Sequence, residues 1–225
     1  MTSRLEEIFS VIPKCKVFAD IGCDHGLIPQ KMLKTQKCER VVFSDVSEKC
    51  LEKARVLLAE YVDKGMATGI VSDGFSCFYR DNAPIGVDCA LIAGMGGEEI
   101  IGILCNAKEK NYPLPQTLVL QPMKNCDKVR RFAVDHGYRI VKDYVFVAGG
   151  KYYDLILLKT GKDSLSGEEE KFGRDNIQNL PAAFLKRISE RESLLVGLIE
   201  SDKASAAAKL AAESELKELS KYVKT

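Results

Sequence analysis

Val17-Phe18-Ala19-Asp20-Ile21-Gly22-Cys23-Asp24-His25-Gly26 reads as a buried strand that ends in an acid and breaks into a glycine turn before a helix. In an open α/β sheet this is where a nucleotide-like cofactor sits. Glycines at 22 and 26 let the backbone approach a ligand closely, and a helix beginning near Leu27 aims its free N–H groups at a carboxylate or phosphate. The spacing Asp20-x-Gly22-x-x-x-Gly26 is not the three-glycine dinucleotide fingerprint, and such a turn can also be a plain strand-to-helix connection. The next strand, Arg40-Val41-Val42-Phe43-Ser44-Asp45, ends in an acid about 20 residues after the turn, as ribose recognition requires.

Working outward, short β-rich runs alternate with helical patterns up to about Thr160, which predicts a parallel sheet with helices on both faces. Strands are expected over Lys16 to Ile21, Arg40 to Ser44, Ala67 to Ser72, Val87 to Ala93 and Thr117 to Gln121. Helices are expected over Leu27 to Thr35, Ser47 to Lys64 with Ser47 as N-cap and Gly65 as stop, Gly97 to Ala107, and Cys126 to Asp135. Tyr138 to Ala148 and Lys151 to Lys159, joined at Gly149-Gly150, predict an antiparallel hairpin. Five parallel strands followed by such a hairpin is the seven-strand plan of Rossmann-like methyltransferases, whereas a nicotinamide-binding Rossmann domain normally lacks it.

Composition changes after Gly161. Residues 162–170 are polar, then Phe184, Leu185, Ile188, Leu195, Leu198 and Ile199 recur near heptad spacing, and an alanine-rich helix follows from about Ser205 to Tyr222. Neither stripe can be buried alone, so the two predict an antiparallel, coiled-coil-like helical hairpin. The expected division is a cofactor-binding domain over residues 1–160 and a helical domain over residues 161–225.

The 225 residues suffice for one sizeable core plus an appendage, and 46% hydrophobic content is ordinary for a globular chain. No apolar run approaches a membrane span and residues 1–14 do not form a signal peptide, so a cytoplasmic protein is expected. Eight cysteines are scattered without a CxxC pair or a histidine at ligand spacing, which argues for reduced, buried thiols and against zinc. The net charge of +1 does not itself point to nucleic acid. Lys124, Lys128, Arg130, Arg131, Arg139 and Lys142 fall close together, however, and form either one basic face or a solvated helix surface.

Several further residues offer chemistry. Asp73-Gly74 follows the third strand, either as a simple turn or as an acceptor for an adenine amine. Gly94-Met95-Gly96-Gly97 ends the fourth strand with backbone bare enough for a flat substrate. Gln121-Pro122 ends the fifth, where Gln121 offers donors and an acceptor to a base edge, or simply faces solvent. His25 reads either as a base or as a structural histidine. Asp20 and Asp24 either hold the amino group of a cofactor or cap the helix.

Together, Ala19-Asp20-Ile21-Gly22-x-Asp24-His25-x-x-x-Pro29, Ser44-Asp45-Val46, Ser72-Asp73-Gly74, Ala93-Gly94-Met95-Gly96-Gly97, Leu120-Gln121-Pro122 and Gly150-Lys151-Tyr152-Tyr153-Asp154 resemble the bacterial tRNA adenine-N1 methyltransferases that modify adenine 22. The resemblance covers nearly the whole chain. Ile70-Val71-Ser72 and Met123 depart from it, where an arginine and a glycine before Asp-Gly and an asparagine after Gln-Pro are expected. It implies S-adenosylmethionine as cofactor, held by Asp20, Gly22, Asp24, His25, Gly26, Asp45, Val46, Asp73, Gly74 and Ala93. The target base would be positioned by Gly94, Met95, Gly96, Gly97, Gln121 and Pro122, with no nucleophile and no metal. Substrate tRNA would meet Lys124, Lys128, Arg130, Arg131 and Arg139 on a monomer or weak homodimer. The alternatives are a methyltransferase of the same fold with another substrate and a catalytically silent RNA-binding relative. A nicotinamide oxidoreductase fits less well, because the glycine pattern and the hairpin both disagree.

Overall fold

The computed structural model describes residues 3–80 and 83–223. Seven strands form one sheet: β1 (Val17–Ile21), β2 (Arg40–Asp45), β3 (Ala67–Val71), β4 (Cys89–Met95), β5 (Thr117–Pro122), β6 (Tyr138–Ala148) and β7 (Lys151–Thr160). Their order is β3-β2-β1-β4-β5-β7-β6. The first five are parallel, and β7 runs antiparallel between β5 and β6. This is the expected Rossmann-like plan. The chain winds outward from β1 to β3, then restarts at β4 on the other side of β1, so a switch point opens between β1 and β4.

All five residues of β1 are buried, as a parallel strand covered on both faces must be. Its alternation divides the core into two layers. Phe18 packs with Ile8, Ile28, Leu51 and Leu58 on one face, whereas Val17, Ala19 and Ile21 pack with Ile100, Leu104 and Val129 on the other. The first layer is closed by α1 (Arg4–Val11), α2 (Leu27–Lys34) and α3 (Glu48–Leu57), the second by α5 (Gly97–Glu109) and α6 (Cys126–Asp135).

The helix expected over Ser47 to Lys64 is two helices. Ser47 caps α3 by accepting from the Cys50 N–H, but Leu58 leaves helical geometry before α4 (Ala59–Asp63). Leu58 is fully buried in the first layer, and the break keeps it there while α4 turns onto β3. Gly65 ends α4 with φ +67°, as expected.

Beyond β7, Ser166 and Glu169 form a capping box that starts α7 (Gly167–Phe172), and α8 (Arg174–Asn179) follows. Asp175 and Asn176 accept the Asp143 and Val145 backbone N–H groups at 2.8 and 2.9 Å, so this segment seals the β6 edge. Helices α9 (Ala182–Glu200) and α10 (Ala206–Val223) then form the expected helical hairpin. Its inner stripe, Phe184, Ile188, Leu195, Ala212, Leu219 and Tyr222, packs with Val145 of β6. The rings of Phe172, Phe184 and Tyr222 meet edge to face at 5.4–6.1 Å.

Candidate active site

A crevice of about 540 Å³ opens at the carboxyl ends of β1, β2 and β4, lined by Asp20, Gly22, Asp24, His25, Asp45, Ala93, Gly94 and Met95. These residues arrive from three separated sequence segments because parallel strands deliver their carboxyl ends to one edge. The turn after β1 holds three residues in the left-handed region, Gly22 at φ +73°, Asp24 at φ +46° and Gly26 at φ +71°. A Cβ on Gly22 would meet only the mobile end of the Met95 side chain, so what calls for glycine here is the left-handed backbone.

Asp45 fixes the rim. One carboxylate oxygen accepts the Ser47 N–H at 2.8 Å and the other the Asp24 N–H at 3.4 Å. The group remains partly exposed and keeps lone pairs for a ligand. Asp20 is different. It is 5% exposed and has no hydrogen-bond donor among the described residues. Burial, reinforced by the Asp45 charge, pushes its carboxyl up to about 7.

This sets a pH dependence with a definite sign. A carboxyl raised in the folded state holds its proton there after the unfolded chain has lost it, so its contribution to stability is complete below about pH 4 and is lost as pH rises through about 7. Asp20→Asn removes that loss. In thermal melts of the ligand-free protein, the variant is therefore expected to gain on the parent as pH rises from 4 to 7. A constant difference across that range would contradict the assignment.

Other expected cofactor residues stand at the margin. Gly26 is the N-cap of α2, and a Cβ there would approach Ala54 Cβ to 2.9 Å, so it serves helix packing rather than the crevice wall. Val46 is 69% exposed beside Asp45. Asp73 is exposed after β3, and Gly74 opens a 3-10 turn against Ile103. His25 and Asp24 lie 3.6 Å apart, both more than half exposed at the mouth.

The β4 loop is a bulge at Gly94, φ +79°. The Met95 carbonyl accepts the Met123 N–H at 2.8 Å and the Lys124 carbonyl accepts the Gly97 N–H at 2.9 Å, which ties this loop to the one after β5. A Cβ on Gly97 would sit 2.6 Å from the Lys124 and Asn125 carbonyl oxygens, so this glycine is required by the junction itself.

A family model described as a methyltransferase domain matches residues 1–156. The chain belongs to the methyltransferase-domain family. A protein of Mycoplasma pneumoniae provisionally named a tRNA methyltransferase is 32% identical over 164 residues, 72% of this chain and 73% of its own. The tRNA (adenine(22)-N(1))-methyltransferase of Bacillus subtilis is 26% identical over 165 residues, 72% of this chain and 66% of its own. A Streptococcus pneumoniae protein provisionally named a tRNA (m1A22) methyltransferase, solved with S-adenosyl-L-methionine, superposes with a TM-score of 0.85 over 99% of this chain and 100% of its own, at 22% identity. That last likeness carries the fold, including the helical hairpin.

On the acceptor side of this methyltransferase domain, two expectations are corrected. Gln121 does not offer its amide to a base: it is fully buried, accepts the Arg4 Nε–H at 2.8 Å and donates to the Pro122 carbonyl at 3.1 Å. A buried amide must satisfy its donors and acceptor internally, and Arg4 arrives from a helix distant in sequence. The basic face also shrinks. Arg130 is 1% exposed, its Nε bonded to both Asp143 oxygens at 2.8 and 3.0 Å and its Nη2 to Asp154 at 3.2 Å. It sits at the inward-facing side of α6 beside Val129 and Ala133, so it cannot meet RNA. Burial acts to lower the Arg130 charge state, but the two carboxylates more than offset it. Burial likewise acts to raise Asp154, yet Arg187 and Arg130 hold it below the ordinary carboxylate range.

Lys128 pairs with Glu98 at 2.5 Å and Arg131 with Glu170, both at the surface. Lys124 and Arg139 have no ion pair among the described residues. All eight cysteines are free, and burial pushes the Cys15 thiol up to about 11 and Cys38 to about 12. Among the described residues no group of three or more His, Cys, Asp or Glu could hold a metal, and no helix is long and apolar enough to cross a membrane.

Sequence reasoning missed the α1 wall of the crevice: Ser3, Arg4, Leu5 and Ile8 also line it. The signal was present in Ser3-x-x-Glu6, a capping box in which the Ser3 Oγ accepts the Glu6 N–H at 3.2 Å and Glu6 accepts the Ser3 N–H at 2.8 Å.

Proposed function

We propose that this chain transfers a methyl group from S-adenosylmethionine to N1 of an adenine in tRNA, adenine 22 in particular, in the cytoplasm. The observation that carries the reading is the crevice joining Asp20 of β1, Asp24 of the turn after it and Asp45 of β2 to the glycine-rich loop after β4. Its donor set fits the cofactor. Asp45 accepts the ribose hydroxyls, buried Asp20 gives an ammonium group the partner it otherwise lacks, and Val46 offers apolar surface beside the ribose site. Asp73, exposed after β3, is the acceptor this reading assigns to the amine of the cofactor's adenine.

Bound there, S-adenosylmethionine supplies an electrophilic methyl on a sulfonium, which the in-plane lone pair of adenine N1 can take without a general base. The chain's own part is therefore alignment. Gly94 and Gly96 carry no side chain of their own, so a planar ring would have only the Arg4 and Lys124 side chains that lie against them to displace, and the hydrogen bonds between the loops after β4 and β5 tie that surface together. Orienting two reactants can supply several kcal/mol of a barrier. Because N1 lies on the Watson–Crick edge, the loops require an unpaired adenine.

Lys124, Lys128 and Arg131 are the exposed cations this reading assigns to tRNA phosphates, whereas Arg139, level with Lys159 and Thr117, lies at the opposite end of the sheet from the crevice. The surface pairs at Lys128 and Arg131 are weak and exchange readily for phosphate. Residues 1–160 act as the catalytic unit, with the helical segment 161–225 positioning the tRNA. Its 11 basic and 12 acidic side chains make it a shape reader rather than an electrostatic clamp. Incubating bulk tRNA with the protein and methyl-labelled S-adenosylmethionine should place label in 1-methyladenosine. Label in another nucleoside, or in none, would overturn the proposal.

A further inference from the structure

We infer that the cavity between the methyltransferase domain and the helical hairpin is a substrate subsite, in which Arg187 and Lys124 hold a phosphodiester of the tRNA strand that carries the target adenine. The inference rests on the reading of the chain as a tRNA methyltransferase and adds a site to it.

This cavity, of about 570 Å³, shares no lining residue with the cofactor crevice. One wall is the loop after β5, at Met123, Lys124 and Asn125, and another is α9, at Arg187, Arg191 and Leu194. The acceptor loops separate the two spaces. The Met123 N–H bonds to the Met95 carbonyl, and the Lys124 side chain lies against Gly96, 3.1 Å from where a Cβ would be. A nucleotide whose base enters at these loops brings its own backbone toward the second cavity.

Among the described residues five cations line this cavity, and their bonds sort them. Arg130 is spent within the fold, on Asp143, Asp154 and the Glu170 carbonyl. Lys171 pairs with Glu218, and Arg191 lays Nε and Nη2 on the two Glu215 oxygens at 2.8 Å each. Arg187 is different. Its Nη1 donates to Asp154 Oδ2 at 2.9 Å, whereas its Nε and Nη2 have no hydrogen-bond partner among the described residues, and Lys124 has no ion pair there. The carboxylates of the cavity do not claim these donors: Asp154 is bonded to Arg130 and Arg187, Glu215 to Arg191, and Glu190 lies 3.8 Å from Lys186. Asp127 pairs with neither Arg187 nor Lys124.

Asp154 is buried and fixed by Arg130, so Arg187 is anchored at one nitrogen while its side chain stays 47% exposed. A guanidinium anchored in this way has little rotamer freedom left to lose, and its open Nε and Nη2 edge offers the parallel pair of N–H groups that two phosphate oxygens accept. Lys124 adds a compact second charge from the acceptor loop. A phosphodiester is the anion that an unpaired adenine brings with it on either side. The near-neutral charge of the helical segment does not oppose this, because one aimed cation makes the contact.

The test follows binding of a tRNA transcript to the full chain by fluorescence anisotropy over a series of salt concentrations. Arg187→Ala, and Arg187→Gln, which keeps a donor for Asp154, should each lower affinity about tenfold at about 0.1 M salt. Each should also reduce the slope of log K against log salt by about one, with S-adenosylhomocysteine affinity unchanged within about twofold. Arg187→Lys keeps the charge and should retain the parent slope with part of the affinity. Arg191→Ala removes a cation one turn further along the same helix whose fork is already filled, and should leave the slope at the parent value. The parent slope in both Arg187→Ala and Arg187→Gln would overturn the inference and leave the open edge to another anion, such as an acidic protein segment. So would an equal fall in slope for Arg191→Ala, which would make the helix a diffuse basic surface. If the parent protein bound no tRNA, the tRNA reading itself would fail instead.

Discussion

Asp45→Ala is expected to weaken binding of S-adenosylhomocysteine by about a hundredfold or more. Two hydroxyls would lose a charged acceptor worth roughly 1.5 to 3 kcal/mol per hydrogen bond, and about 3 kcal/mol is already a factor of a hundred. The loss has a second source in the protein. Asp45 also holds the Ser47 and Asp24 N–H groups, so the alanine releases both the N-terminal end of α3 and the turn after β1. Asp45→Asn keeps a neutral acceptor and should lose less. Calorimetry showing the parent affinity in Asp45→Ala would remove the ribose site from β2.

Arg130→Ala should act on stability rather than on RNA affinity. The guanidinium neutralises Asp143, which is fully buried, and shares Asp154 with Arg187. It also donates to the Glu170 carbonyl at 3.1 Å, and the Arg174 N–H caps Asp143 at 3.2 Å. Four segments therefore converge on one buried charge: α6, β6, β7 and the start of the helical tail. Removing one partner of a buried pair typically costs about 3–5 kcal/mol, because the other charge is left uncompensated. At the 2–4 °C per kcal/mol usual for chains of this size, that is a fall in Tm on the order of 10 °C. Asp143→Ala added to Arg130→Ala should restore part of it, since the unpaired carboxylate is gone. A melting temperature within about 2 °C of the parent would show that the cluster is solvated. Lys124→Ala provides the contrast: stability unchanged, and the salt slope of tRNA binding reduced by about one.

The fold was legible because periodicity and punctuation agreed along most of the chain. β1 and β5 are continuous apolar runs that end in an acid or Gln-Pro, and Gly149-Gly150 marks the hairpin between β6 and β7. The acids at 20, 24 and 45 could be assigned to one site because parallel strands deliver their carboxyl ends to the same edge. What escaped was set by contacts between distant segments. Arg130 lies among Lys128 and Arg131 in sequence, yet one position along a helix is a 100° rotation, and that rotation turned it from solvent to two aspartates on the hairpin. Gln121 looked free at a strand end because its partner, Arg4, lies 117 positions earlier. Helices α7 and α8 escaped because each has only six residues, too few for a periodic signal.

The central claim is tested most directly by two tRNA transcripts identical except at position 22, one with adenine and one with guanine. Each would be incubated with the protein and S-adenosylmethionine and digested to nucleosides for mass spectrometry. The adenine-22 transcript should yield 1-methyladenosine and the guanine-22 transcript no methylated nucleoside. Equal methylation of both, or methylation of neither while S-adenosylhomocysteine still binds, would contradict adenine 22 as the target.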